Sequence, residues 1–211
     1  MKLVNFHSIA NVAFKYVIWN SKTLNIDESH ALKHSMDVFN FANEIYYSEL
    51  KTNPYLESHH EIITASAILH DMCDKKYVDE YSAVKNIEYM LTDYLNVTEI
   101  ETVSKIISTI SYSKVKLNGY PDLQQHQLAY NIVREADLLS AYDINRCIIY
   151  GLMKENLSYI DATKRAIQLF ETRMSKYKSD DLFITEYSKQ KSAILEATAK
   201  NEIAILQKLI C

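Results

Sequence analysis

An all-α fold is predicted by three features of the 211-residue sequence: apolar residues recurring at three- and four-residue steps, only two Gly and two Pro, and 48% hydrophobic content with 24% charged residues. So few Gly and Pro do not supply the tight turns of a sandwich, a barrel or a glycine-rich nucleotide fold. The apolar content excludes a disordered chain, and the length suits one domain with an appended helical piece.

The spacing predicts helices over 4–19, 29–50, 56–73, 79–95, 97–112, 122–151, 158–177 and 182–209. The first twenty residues are mildly apolar, and Asn5, His7, Asn11 and Lys15 interrupt any signal-peptide core. Ser29 is placed to cap the second helix, whose stripe is His34, Val38, Phe41 and Ile45; Asn53-Pro54 ends it, because proline disfavours helical geometry in the residue before it. Ile62, Ala65, Ile68, Leu69 and Met72 mark the third helix, and Val84, Ile87, Leu91 and Leu95 the fourth. Thr98 is placed to cap the fifth, which carries Val97, Ile100, Val103, Ile106, Ile107 and Ile110. Asn118-Gly119-Tyr120-Pro121 reads as a loop with Asp122 as the next cap. The last helix has Ile194, Ala197, Ile203, Ile205 and Leu206 for packing on the body or on a second copy of the chain. Residues 1–152 are expected to form the core and residues 153–211 to add C-terminal helices that pack on it or mediate homo-oligomerisation.

The net charge of -4 excludes a general binder of nucleic-acid backbone or duplex, which needs a basic footprint. The acidic excess lies in residues 1–152, with 13 basic residues against 19 acidic; residues 153–211 hold 10 against 8. Cys73, Cys147 and Cys211 are odd in number and far apart, so reduced thiols and a cytoplasmic location are expected. No apolar run approaches the 18 residues of a membrane span, and no membrane partner is expected.

Four polar residues occupy positions where a helical protein places apolar ones. His34 shares its stripe with Val38, Phe41 and Ile45; His70 follows Ile63 and Ala67; Asp71 lies behind Thr64 and Ala67; Asp137 stands between Val133 and Ala141. Buried carboxylates need partners, and a divalent cation would neutralise all four groups. Two imidazoles and two carboxylates without a thiolate suit a six-coordinate ion, Mn²⁺ first and Mg²⁺ or Fe²⁺ as alternatives. The neighbours His70 and Asp71 diverge by about 100° on a helix, so both reach one ion only near its end.

Three blocks, Ser29-His30-Ala31-Leu32-Lys33-His34, Ala67-Ile68-Leu69-His70-Asp71 and Glu135-Ala136-Asp137-Leu138, resemble the H…HD…D signature of the HD superfamily of metal-dependent phosphohydrolases. The resemblance spans roughly residues 25–152 and is strongest to small stand-alone nucleotide phosphohydrolases, whose further marks have counterparts in Asp74-Lys75 and in Ile110-Ser111-Tyr112-Ser113-Lys114. It implies a compact helical fold with one metal held by His34, His70, Asp71 and Asp137. Met72-Cys73 departs from the usual Ile-Gly, Leu138 stands where Arg is common, and Tyr142-Asp143-Ile144-Asn145 replaces a small glycine-containing stretch. These changes bear on substrate choice more than on metal binding.

Such a site suits hydrolysis of a phosphoester or phosphoanhydride in a small phosphorylated metabolite, foremost a nucleotide, by metal-activated water. Asp74 is the expected proton-handling or water-orienting carboxylate, and Lys75 the expected charge on the substrate oxyanion, joined by Lys76 and Lys114. Ser113 is a candidate phosphate contact, and His30 a candidate substrate-facing group at the rim. His30 and His34 also form an H-x3-H pair, but no Glu accompanies them as in a zinc peptidase. His59 and His60 read as the exposed start of a helix, and His126 as the one further histidine available for a second metal, which favours a single ion. A non-catalytic module that binds the metal or senses a nucleotide is the alternative from another class.

Overall fold

The computed structural model describes residues 2–210, with side chains described from residue 7; the expected thiol of Cys211 lies outside them. Ten α-helices and three 3-10 turns make up the described chain, and no strand is present among the described residues. The helices are α1 (Lys2–Thr23), α2 (Leu32–Glu49), α3 (His60–Leu69), α4 (Glu80–Leu91), α5 (Val97–Thr109), α6 (Tyr112–Asn118), α7 (Gln127–Ser140), α8 (Ile144–Met153), α9 (Tyr159–Thr172) and α10 (Glu186–Ile210).

Helix α3 is the axis of the fold. Every residue from Ile62 to Leu69 is buried, the signature of a helix enclosed on all sides. It packs against α1, α2, α5 and α7, and α2 also runs against α7. Helices α8 and α9 form a tight hairpin. Gly151 permits it: a Cβ there would sit 2.9 Å from the Cβ of Ala162. Helix α10 lies on α7, α2, α8 and α9, burying Ser188, Ser192, Ala199 and Ile203 and leaving Ile194, Ile205 and Leu209 exposed. No helix among the described residues is long and apolar enough to cross a membrane.

Several expected boundaries move, for local chemical reasons. Ser29 does not cap α2, because its N–H and hydroxyl both donate to the Asp27 carboxylate; the helix starts at Leu32 behind an uncapped Ala31. Pro54 opens a 3-10 turn, Pro54–His59, ahead of α3. Asn96, not Thr98, caps α5 in a reciprocal box with Glu99. The expected 97–112 helix ends at Thr109, and Ser111 then caps α6 inside a stretch read as loop; Gly119, at φ 74°, closes it. The expected 122–151 helix is three pieces. Asp122 accepts from the N–H of Gln124 at a 3-10 turn (Gln124–His126), and the chain breaks again after Ser140, where Asp143 accepts from the N–H groups of Asn145 and Arg146 to start α8. The 158–177 helix ends as α9 at Thr172, with a 3-10 turn at Met174–Lys176.

Candidate metal centre

Each of the four expected ligands comes from a helix end or an interior face. His34 is on the first turn of α2, His70 is the residue that terminates α3, Asp71 follows it, and Asp137 lies in the last turn of α7. The turn after α3 tightens, with Met72 N–H donating to the Leu69 carbonyl at 2.9 Å, so the adjacent His70 and Asp71 both face one point.

Their polar atoms converge. The Nε2 atoms of His34 and His70 are 2.9 Å apart. Asp71 Oδ2 lies 3.1 Å from the first and 3.3 Å from the second, and Asp137 Oδ1 lies 3.5 and 3.7 Å from them. The imidazoles are 1% exposed. The carboxylates, at 18% and 24%, are not core-buried as the helical phase predicted: they face a cavity. His34, His70 and Asp137 form a group that could hold a metal ion, its ligand atoms all within 4.8 Å of one another.

The hydrogen bonds around the cluster show why a cation fits. His70 Nδ1 lies 2.9 Å from the Ala67 carbonyl, which only accepts, so that nitrogen carries the proton and Nε2 presents a lone pair. The Ser140 hydroxyl donates to the Asp137 carbonyl at 2.7 Å and so offers a lone pair to His34 Nδ1 at 3.4 Å. In the neutral imidazoles both inward-facing Nε2 atoms therefore offer lone pairs toward Asp71 Oδ2, which is buried 3.1 and 3.3 Å from them. Four acceptors at such separations repel unless a positive charge, a shared proton or a metal cation, lies among them.

The two imidazoles shift in opposite directions, as when the cluster shares a single proton. Burial, helped by the Arg146 guanidinium, drops His34 to about 3. Burial also opposes charge on His70, but the Asp71 and Asp137 carboxylates outweigh it and raise that imidazole to about 9. Burial would raise Asp71, but His70 and His34 hold it well below the usual carboxylate range. The cluster is built around a positive charge.

The cavity above it has a volume of about 400 Å³, and its walls include most of the other expected residues. His30 sits at its edge, its Nδ1 2.6 Å from the Ser29 hydroxyl and its ring between Tyr77 and Tyr150. Burial lowers its pKa. Asp74 and Lys75 line the cavity; Asp74 accepts from the Lys76 N–H at 2.9 Å and pairs with its ammonium at 3.3 Å. Lys75 and Lys76 are exposed. Ser113 is exposed at the rim beside Ser111, and the Lys114 ammonium is already held by Glu80 and the Ser108 carbonyl.

Two expectations are corrected. His59 is buried, not an exposed helix start, and His60 stacks on Tyr46 with ring centroids 4.2 Å apart. His126 meets His59, ring centroids 4.6 Å apart, at the opposite end of α3 from His70. That separation is roughly 15 Å along the helix, too far for a shared two-metal site.

Other cavity residues carried no local signal. Arg146 donates from Nε to the Ser29 carbonyl at 2.6 Å and lies 3.9 Å from Asp71. Behind His30, outside the cavity lining, Asp27 accepts from the Tyr77 hydroxyl at 2.7 Å, fifty positions away in sequence. Arg165 and Arg173 reach the cavity from the C-terminal segment.

No family model matches the chain, and no protein of curated function does. Among solved structures, a Lactobacillus plantarum protein determined as a structural-genomics target superposes with a TM-score of 0.70 at 18% sequence identity, covering 95% of this chain and 96% of that one. The shared feature is the fold, along nearly the full length of both proteins.

Proposed function

We propose that this protein is a divalent-metal-dependent phosphohydrolase that cleaves a phosphoester or phosphoanhydride bond in a small phosphorylated metabolite, foremost a nucleotide, with Mn²⁺ as the favoured ion. The observation that carries this reading is the meeting of two buried imidazoles and two carboxylates at the floor of a cation-lined cavity. His34, His70, Asp71 and Asp137 would hold the ion. When bound, a divalent ion supplies positive charge to phosphoryl oxygens and acidifies water.

The remaining steps belong to the chain. The Ala67 carbonyl and the Ser140 hydroxyl orient the two imidazoles. Arg146, anchored on Ser29 and Ser140, presents a fixed guanidinium beside the reacting phosphoryl group, and Lys75 adds charge from the rim. Asp74 is placed to take or orient a water proton, in exchange with its contacts to Lys76.

The test is metal analysis of the purified protein together with phosphate release from a nucleotide panel in Mn²⁺. Hydrolysis of at least one nucleotide is expected. His70→Ala and Asp71→Ala should each lower kcat/KM by at least about a hundredfold, with unchanged helical circular dichroism. Activity surviving both substitutions rejects the assignment. Metal-dependent stability and ligand binding without turnover would point instead to a sensing module, a reading favoured only by the engagement of Asp74 with Lys76.

A further inference from the structure

The six cations lining the cavity differ in how they are already held. Lys114 is taken by Glu80 and the Ser108 carbonyl, Lys76 by Asp74, Arg165 by Glu155 at 2.5 Å, and Arg146 by Ser29, Ser140 and Asp71. Lys75 is exposed to solvent. Arg173 is different. It is half-buried, no carboxylate pairs with it among the described residues, and its Nε is buried without a hydrogen-bond partner. Its guanidinium lies over the Tyr112 ring, 4.2 Å from the centroid, which fixes it in the wall.

An uncompensated guanidinium in such a place is costly unless an anion completes it. Its position is informative. Arg146 stands beside Asp71 at the ligand cluster, whereas neither Arg165 nor Arg173 makes an ion pair with Asp71 or Asp137. All three guanidiniums line the same cavity, together with Cys147 of α8. Arg173 lies over Tyr112 and against the Tyr177 hydroxyl and pairs with neither carboxylate of the cluster, so it marks a separate position in the same cavity. With six basic residues against Asp71, Asp74 and Asp137, the cavity is positive in a chain whose net charge is -4. A single phosphoryl group at the cluster would leave Arg173 unanswered.

We propose that Arg173 is a specificity-determining residue for a second phosphoryl group, so that the preferred substrate carries two or more. The word substrate rests on the hydrolase reading above; the binding itself needs no turnover. The second group could be the next member of an anhydride chain or sit on another hydroxyl of the same molecule. In either case residues 153–211 complete the site and do more than pack on the core.

Calorimetric titration of the metal-free protein in EDTA, with inorganic pyrophosphate and with orthophosphate, tests the binding. Wild type should bind pyrophosphate at least about tenfold more tightly, the scale of one charge-assisted contact. Arg173→Gln should erase that preference, and Arg173→Lys should restore part of it, with circular dichroism checking the fold. In Mn²⁺, kcat/KM for a nucleoside 5′-diphosphate and a 3′,5′-bisphosphate should exceed that for the monophosphate, and the better of the two identifies the arrangement. Arg173→Gln should collapse that ratio through KM. Equal binding of the two anions by wild type, or a pyrophosphate preference that survives Arg173→Gln, overturns the inference. Arg173-dependent pyrophosphate binding without turnover of any nucleotide leaves this site standing and rejects the hydrolase reading alone.

Discussion

Glu135 shows how much a single side chain can hold together. It sits two residues before Asp137, is fully buried, and accepts from the N–H groups of Ile184 and Thr185 and from the Thr185 hydroxyl. Those contacts tie the entry of α10 to α7, which carries the Asp137 ligand. Glu135→Ala would leave the N–H groups of Ile184 and Thr185 without an acceptor, while the Thr185 hydroxyl keeps Ser188, and chemical denaturation should show a loss of about 3 kcal/mol; a loss under about 1 kcal/mol would mean that water replaces the carboxylate. Nothing local marks Glu135 as different from the many solvated glutamates, because its partners lie fifty positions away. His34 and His70 were legible for the opposite reason: each interrupts an apolar stripe of its own helix, and that stripe is a property of neighbouring residues.

Helices with strong periodicity were legible, and short or interrupted ones were not. Helix α6 has no buried residue, so no stripe announces it; a Ser cap and a terminal glycine define it. The break between α7 and α8 passes through Ala141 and Tyr142, which continue the apolar pattern, so only the cap at Asp143 reveals it. The two short 3-10 turns before α3 and α7 meet through His59 and His126, and burial lowers the pKa of both. Each also loses favour for its charged form to burial more than the Glu99 carboxylate returns. Lowered histidine pKa values mean that the unfolded chain binds more protons below about 6.5, so this contact weakens as pH falls through that value. Thermal midpoints measured from pH 7.5 to 5 should drop more steeply for wild type than for His126→Gln. Parallel slopes would show that the pair does not titrate on unfolding.

At the scale of the full bundle, a cation bound only by the folded cluster stabilises the fold, so metal and stability are linked. Mn²⁺ at about a hundred times its dissociation constant should stabilise the protein by about 2.7 kcal/mol, and EDTA should reverse the shift in thermal midpoint. His34→Ala should abolish the response; a midpoint indifferent to both additions would argue against a resident ion. The amino-acid pattern alone established an all-helical chain and placed two imidazoles and two carboxylates on faces from which they could converge, because helical phase is set by contacts three and four residues apart. Which partners met was settled by packing: His126 against His59, Asp27 under Tyr77, and Arg173 in the cavity wall. Those encounters depend on loop geometry and on the close approach of α8 and α9 at Gly151, which link residues far apart along the chain and leave no periodic trace.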